Sequence, residues 1–318
     1  MVVAVAREFS EQELERAGIP SVELQRLALQ TEDFPQLRVL QLQLLQEAKL
    51  IIGSYRGWEQ RVLDTLEQLA GSDVAQSALD EILDFNKAPE RELTPETLVD
   101  TWKAETELAL AAGEAGLYEE QLQRSAALHD EVLRAHDGMM SRITALLSIL
   151  YRGWGIEPLQ QVLEAVMQPQ MLDPGGNLPF RERVQRLIAF TRCHLQPFSL
   201  SEDDEKVTFR PHTCPSGARL IQQGAYSEQR GGALVQEPGP LTYGRDNLPI
   251  YCCHEPAAEI AAIKHFGAPL FMVEPAADLA RGPCIVHMYK VASNIPERYY
   301  QRLGLKKPTD LIAVGSDH

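Results

Sequence analysis

Two long stretches of the chain repeat apolar residues at steps of three and four, and this spacing constrains the fold more than any other feature. The stretches cover residues 35–69 and 117–152. Residues at these steps lie on one face of an α-helix, so each stretch predicts a long amphipathic helix. The apolar residues of the first stretch are Leu37, Leu40, Leu44, Leu45, Ala48, Ile51 and Ile52. Such helices need a partner for their apolar faces, so we expect them to pack against each other or against a second copy in a homodimer.

From about residue 200 the helical spacing fades, and Gly, Pro and β-branched residues become more frequent. Short apolar runs bounded by turn residues predict strands in this part. The predicted strands are 206–210, 218–222, 248–254, 269–274 and 284–290. Between two of them, residues 255–267 predict one short helix, with a proline at its start and a glycine at its end.

The order of these elements indicates the fold class. A run of helices followed by a run of strands is typical of the α+β class. We therefore expect an N-terminal all-helical region, residues 1–196, that serves as a scaffold or dimerisation region. A small, mostly antiparallel sheet domain, residues 197–318, would follow it and carry the functional site. A length of 318 residues agrees with about two domains.

The chain is acidic, and its charge excludes some classes of partner. The formal net charge is -15, from 45 Asp and Glu against 30 Lys and Arg, and the basic residues are not clustered. Binding to nucleic acid or to an anionic membrane surface depends on clustered Lys and Arg, so we expect neither partner. The N-terminus lacks the basic start and apolar stretch of a signal peptide, and an odd number of cysteines favours a reducing compartment. We therefore predict a cytoplasmic protein without a membrane span.

The segment YCCHEP, which contains Cys252, Cys253 and His254, concentrates residues that bind metals. In a strand, alternate side chains share a face, so Cys252 and His254 would point one way and Cys253 the other. Two further cysteines lie beside turn residues, Cys214 in HTCPSGARL and Cys284 in GPCIVHMYK. Zinc is usually held by four Cys and His side chains. We therefore predict a zinc site formed by Cys214, Cys252, His254 and Cys284.

The number of protein ligands would decide what such a site does. With three protein ligands and an open position for water, the chain would be a zinc-dependent hydrolase or lyase acting on a small molecule. Glu255 or Glu259 would then be the general base. With all four positions filled by protein, the zinc would be structural and the chain would be a small-molecule sensor or binding protein.

A third interpretation needs no metal. Cys214 precedes Ser216 and Gly217, whose backbone N–H groups could face an oxyanion, so Cys214 would be the nucleophile of a cysteine enzyme. His212 or His254 would take its proton. The cysteines could also be inert core residues, as most buried free cysteines are. Spacing does not choose between these alternatives, because the partners of a catalytic cysteine meet in space and not in sequence.

A second candidate site lies on the predicted helix 117–152. His129 and His136 are two helical turns apart and share a face, and each is followed by Asp. A helical bundle can bind metals with such residues, but neither histidine has the glutamate three positions earlier that those sites use. We therefore expect interface or solvated histidines at these two positions.

The segments HTCPSGARL, YCCHEP and GPCIVHMYK, which follow a helical region, also carry a resemblance to known families. Over residues 115–292 at most, the chain resembles the L-2-amino-thiazoline-4-carboxylate hydrolases and the related vinyl-reductase-type small-molecule-binding domains. The same segments resemble parts of an uncharacterised bacterial family. The resemblance implies a small-molecule pocket and hydrolysis of a ring or an amide. In the hydrolase pattern an Asp shortly follows the middle cysteine, whereas Glu255 and Glu259 are the nearest acids in this chain.

Overall fold

The first part of the chain is helical and is built around two helices of 37 residues each. The computed structural model describes residues 7–85, 95–169, 172–214 and 216–309. The helices of the first part are α1 (Glu11–Ala17), α2 (Ser21–Gln30), α3 (Phe34–Ala70), α4 (Ser72–Phe85), α5 (Pro95–Glu114), α6 (Tyr118–Trp154), α7 (Ile156–Val166) and α8 (Phe180–Arg192). Both predicted long helices are confirmed, as α3 and α6.

Local sequence sets the two ends of α3. The Asp33 carboxylate accepts a hydrogen bond from the backbone N–H of Gln36 at 3.3 Å. Pro35 lies in the first turn, where a backbone N–H has no partner within the helix, so its missing N–H costs no hydrogen bond. The helix stops at Gly71, whose φ of 92° is easily adopted only by glycine.

The helices α3 and α6 bury their apolar faces against each other. Leu44, Ile51, Leu147 and Leu150 are at most 1% exposed in one cluster, which Trp102 of α5 also joins. Full burial of such a side chain is worth about 1.5–3 kcal/mol. Packing within one chain therefore buries the predicted apolar faces, and the homodimer stays a prediction.

The second part of the chain alternates short strands and short helices. Its elements are β1 (Phe198–Glu202), β2 (Lys206–Pro211), α9 (Gly217–Gln222), β3 (Leu234–Val235), β4 (Leu248–Pro249), α10 (His254–Phe266), β5 (Met272–Glu274), β6 (Ile285–Tyr289) and α11 (Arg298–Gln301). Four strands form one antiparallel sheet in the order β1-β2-β6-β5, and β3 pairs with β4 separately. This arrangement confirms the predicted α+β class with a small antiparallel sheet after a helical region.

One face of the larger sheet packs on α8. Val207 of β2 lies opposite Met288 of β6, and both are fully buried. They belong to a cluster with Phe209 of β2 and with Val184 and Leu187 of α8. The sheet therefore lies beside the first and middle turns of α8, next to the helical part.

Two of the predicted strands are wrong. Residues 218–222 form most of α9, because a short apolar run fits a buried helix as well as a strand. Residues 248–254 are extended only at Leu248–Pro249; a 3-10 turn, Ile250–Cys253, follows, and α10 begins at His254. Pro256 falls in the first turn of α10, where its missing N–H is tolerated.

The main apolar cluster joins the two parts of the chain. Leu220, Val235, Tyr251 and Cys253 from the second part belong to the cluster formed by α3 and α6. The division at residues 196 and 197 into two domains stays a prediction. In the described ranges, none of the helices is long and apolar enough to cross a membrane.

Candidate functional site

A cavity of about 170 Å³ lies where the helical part meets the second part of the chain. Its wall is mainly aromatic and aliphatic, and few of its side chains can take part in a reaction. The helical part contributes Tyr55, Trp58, Phe190 and His194, and the second part contributes Cys214, Tyr251, His254, Glu255 and Cys284. A mostly apolar cavity with a few converging polar groups is the usual form of a small-molecule site.

Three helices, α3, α8 and α10, position several of these side chains. Tyr55 and Trp58 are three residues apart on α3 and therefore face the cavity together. His194 follows the end of α8, and its Nδ1 lies 3.1 Å from the Phe190 carbonyl oxygen, one helical turn earlier. His254 and Glu255 are the first two residues of α10.

The two cavity cysteines, Cys214 and Cys284, come from loops, and both line the cavity. The Ser216 hydroxyl lies 3.7 Å from the Cys214 sulfur. Hydrogen bonding from the Cys284 thiol lowers the pKa of Cys214, as do the backbone N–H groups of Ala218 and Ser216, although burial opposes this shift. The same bond to Cys214, together with burial, raises the pKa of Cys284. The pair therefore favours a thiolate at Cys214 and a thiol at Cys284.

The adjacent Cys252 and Cys253 have different surroundings from this pair. A Cβ atom built on Gly217 would lie 2.5 Å from the Cys252 sulfur and 3.8 Å from the Cys214 sulfur, so Cys252 packs closely on the Gly217 backbone. Cys253 is fully buried in the main apolar cluster, as predicted for a small hydrophobic residue. Burial raises the pKa of both thiols.

The two cavity histidines, His194 and His254, have opposite pKa shifts. Burial lowers the pKa of His194 to about 3, so this ring is neutral. Its Nδ1–H donates to the Phe190 carbonyl, which leaves Nε2 as a hydrogen-bond acceptor. Burial also acts to lower the pKa of His254, but the Glu255 carboxylate, 3.2 Å from Nε2, outweighs it and the pKa is raised. The Nδ1 of His254 donates to the Tyr251 carbonyl oxygen at 2.6 Å.

The four predicted zinc ligands do not form one cluster. Cys214 and Cys284 are in contact, Cys252 lies against Gly217, and both ring nitrogens of His254 already have partners. The predicted strand alternation of Cys252 and His254 is wrong, because a 3-10 turn and the start of α10 replace the strand. Within the part of the chain that the structure describes, no three His, Cys, Asp or Glu side chains are grouped to hold a metal ion. The zinc site stays a prediction.

The two predicted general bases, Glu255 and Glu259, lie in different places. Glu255 lines the cavity. Glu259 lies outside the cavity lining and is only 1% exposed. Its carboxylate accepts hydrogen bonds from the Arg302 guanidinium, at 2.7 and 2.8 Å, from the Tyr243 hydroxyl and from the Val273 N–H. We call these residues the Glu259 cluster; its bonds join α10 to β5 and α11, so Glu259 is a structural residue in this position.

Sequence reasoning missed a hydrogen-bonded chain that borders the cavity. The Tyr251 hydroxyl donates to the Tyr55 oxygen at 3.2 Å, and the Tyr55 oxygen lies 3.1 Å from Nε2 of His136. Nδ1 of His136 lies 3.0 Å from the Asp137 carboxylate, which also pairs with Arg219 at 3.2 Å. We call Tyr251, Tyr55, His136 and Asp137 the tyrosine–histidine chain.

The position of His136 corrects its predicted role. It is completely buried, and burial lowers its pKa, so it is neither solvated nor a metal ligand shared with His129. His129 lies 3.4 Å from its neighbour Asp130 instead. The helical spacing contained the signal, because His136 is in phase with the buried Val132 and Met140 of α6. His212, the predicted alternative to His254 for accepting the Cys214 proton, is exposed and lies outside the cavity lining.

The sequence matches no known protein-family profile, no curated protein and no solved structure. The resemblance to the thiazoline-carboxylate hydrolases and the vinyl-reductase-type domains therefore stays a prediction.

Proposed function

We propose that this chain is an enzyme that uses the Cys214 thiolate as a nucleophile on a small, mostly apolar molecule bound in the cavity. The observation that carries the proposal is the position of Cys214 in the cavity wall together with Cys284, His254 and Glu255. The Ser216 hydroxyl lies 3.7 Å from the Cys214 sulfur, and hydrogen bonding from Cys284 and from the backbone of Ala218 and Ser216 lowers the pKa of Cys214. Hydrogen bonds to the charged form favour that form, and the thiolate is the reactive form of cysteine. A thiolate held beside a cavity is suited to covalent catalysis.

His254 and Glu255 supply the proton transfers in this proposal. The sulfur of Cys214 would form a bond to an electrophilic carbon, and the displaced electron pair would go to the leaving atom. The raised pKa of His254 keeps a proton on Nε2, 3.2 Å from the Glu255 carboxylate, which lines the cavity. Glu255 would carry this proton from His254 to the leaving atom. The carboxylate would then take a proton from the water that releases the product and return it to His254.

His194 has a different role in the proposal. Its low pKa makes it a poor proton acceptor near neutral pH. Its neutral Nε2 can still accept a hydrogen bond, and His194 lines the cavity with the cysteine pair. We assign it the orientation of the attacking water. The reaction class that fits these roles is hydrolysis through a covalent thiol intermediate.

Alkylation of the native protein tests the proposal without a known substrate. The rate of iodoacetamide labelling is followed against pH, and mass spectrometry identifies the labelled cysteine. We expect Cys214 to react with a midpoint well below the pKa of about 8.5 of a free cysteine. Cys284→Ala should raise the midpoint, because the donor thiol is lost. Cys193→Ala removes a buried thiol outside the cavity lining and should leave it unchanged. A midpoint at or above that of a free cysteine would contradict the proposal.

Zinc at the same thiols is the second candidate. It is favoured by one observation, the closeness of the Cys252 sulfur to Cys214 across the Gly217 backbone, beside the contact between Cys214 and Cys284. Elemental analysis of the purified protein distinguishes the two proposals. About one zinc per chain, lost in Cys252→Ser and in His254→Ala, would support the predicted metal site. Low-pH alkylation of a protein that contains no zinc would support the thiolate alone.

A further inference from the structure

We infer that the cavity is selective by charge and takes small apolar molecules that carry no negative charge. The inference deepens the proposed function, because it names the class of substrate. Three features of the wall support it independently of the reaction: which charged residues line the cavity, where the nearby guanidinium groups point, and how the aromatic residues are arranged.

The charged residues in the lining are the first feature. Glu255 lines the cavity, and within the described residues no Lys, Arg or second carboxylate does so. The only cation available in the wall is His254, and both of its nitrogens are engaged, one with the Tyr251 carbonyl and one with Glu255 itself. An anion that enters would lose its water without gaining a free cationic partner.

The guanidinium groups of the second part are directed elsewhere. Arg219 lies 3.2 Å from the Asp137 carboxylate and 3.2 Å from Nδ1 of His136, behind the tyrosine–histidine chain. Arg245 donates to the carbonyl oxygens of Ala276 and Pro275, at 2.6 and 2.9 Å. Neither arginine lines the cavity. The positive charges nearest to the site in sequence therefore stabilise the surrounding structure and do not bind the ligand.

The aromatic residues are the third feature. The ring centroids of Trp58 and Tyr251 are 5.8 Å apart, and those of Tyr55 and Trp58 are 6.3 Å apart, nearly perpendicular. Such walls favour apolar molecules, and their electron-rich faces also attract cations. Cavities of about 150 Å³ hold one benzene ring, so a ligand with a single ring matches the cavity volume of about 170 Å³.

Three ligands of one size test the inference: benzamide, which is neutral, benzylammonium, which is cationic, and benzoate, which is anionic. Their dissociation constants are measured on the native protein by calorimetry and by displacement in NMR spectra. We expect benzoate to bind at least ~10-fold more weakly than benzamide. Benzoate binding as tightly as benzamide or more tightly would overturn the inference, as would no binding by any of the three.

Two variants assign the selectivity to this cavity. Glu255→Gln removes the lining carboxylate with little change of shape, so benzylammonium should bind ~3-fold or more weakly while benzamide is unchanged. Phe190→Ala widens the wall and should weaken all three ligands alike. Equal loss of all three in Glu255→Gln would contradict an electrostatic role.

The binding test of the three ligands can fail or succeed independently of the alkylation test, because binding of these ligands needs no reaction at Cys214. If benzoate is rejected while Cys214 alkylates like a free cysteine, the charge selectivity stands and the nucleophile fails. If Cys214 alkylates at low pH while benzoate binds best, the nucleophile stands and the charge selectivity fails.

Discussion

The cavity and the Glu259 cluster both bury ionisable groups, but they leave them in different states. In the Glu259 cluster one carboxylate accepts hydrogen bonds from Arg302, Tyr243 and the backbone of Val273, and these partners lie outside the lining of the cavity described above. In the cavity, His194 keeps one ring nitrogen without a protein partner among the described residues, and the Cys214 sulfur lies in the wall. Glu255 of the cavity wall and Glu259 stand one helical turn apart on α10.

The difference shows how a structural role and a chemical role can be distinguished. A buried carboxylate whose acceptor positions are filled stabilises the packing of the elements that supply the donors. A buried group with an unused atom beside a cavity can bind a ligand or transfer a proton. Glu255 lines the cavity and can act chemically, whereas Glu259, on the same helix, has a structural role. Stability and reactivity should therefore separate when each region is mutated.

The largest expected effect is on stability, from Arg302→Met. Arg302 is the main partner of the buried Glu259, and its loss leaves a buried carboxylate without its cation. We expect the free energy of unfolding to fall by about 3–5 kcal/mol at pH 8, measured by urea denaturation. Arg298→Met is the matched control, because Arg298, the first residue of the helix that Arg302 follows, is 69% exposed; its loss should cost under about 1 kcal/mol. Equal losses would contradict the structural role of the cluster.

The second prediction is a pH dependence of stability. Burial raises the pKa of Glu259 to about 7 from its ordinary 4.5, although Arg302 opposes the shift. Between these values the folded state holds a proton that the unfolded state has released, so the stability contributed by Glu259 is complete below pH 4.5 and is lost as pH rises to about 7. Each pH unit is worth up to about 1.4 kcal/mol.

The variant Glu259→Gln isolates this dependence from that of all other groups. Urea denaturation of the native protein and of Glu259→Gln is compared from pH 4.5 to 7.5. The difference between the two unfolding free energies should change with pH in the predicted direction. A constant difference over this range would show that Glu259 is already ionised below pH 4.5.

The third prediction concerns the tyrosine–histidine chain. Tyr55→Phe leaves Nε2 of the buried His136 without its partner, and we expect a loss of about 1–2 kcal/mol. Tyr251→Phe removes only the bond between the two hydroxyls, so about 0.5–1 kcal/mol should be lost. Thermal and urea unfolding of both variants shows which of the two loses more unfolding free energy. A larger loss in Tyr251→Phe than in Tyr55→Phe would contradict the direction of the chain.

The smallest expected effect on stability is that of Cys214→Ser, the change that should abolish the proposed reactivity. Its serine hydroxyl can keep hydrogen bonds to the Ser216 and Ala218 N–H groups, so we expect a change within about 1 kcal/mol. Cys253→Ser is the matched comparison, because it places a hydroxyl in a fully apolar site and should cost about 1–3 kcal/mol. Urea denaturation of both variants measures the difference. A reversed order would remove the distinction between a reactive and a packing cysteine.

Periodicity predicted the helices and the sheet because it reports local geometry. Apolar residues at steps of three and four place α3 and α6 correctly, and the order of helices before strands indicates the α+β class. The same reasoning failed at 218–222 and 248–254, where short apolar runs are equally compatible with helix and strand. The error at 248–254 then carried over to the site, since the pairing of Cys252 with His254 on one face depended on a strand.

The sequence by itself determined which elements form and where the reactive residue types are concentrated, because side-chain spacing, proline, glycine and burial preferences act over a few residues. Only the tertiary structure decided which of those residues meet. Cys214 and Cys284 reach one cavity wall because β2 and β6 pair in the sheet and bring the loops at their ends together. Tyr55 and His194 reach the cavity because α3 packs against α8 and α8 packs on that sheet. Contacts between distant segments depend on how whole faces pack, and no local pattern specifies them.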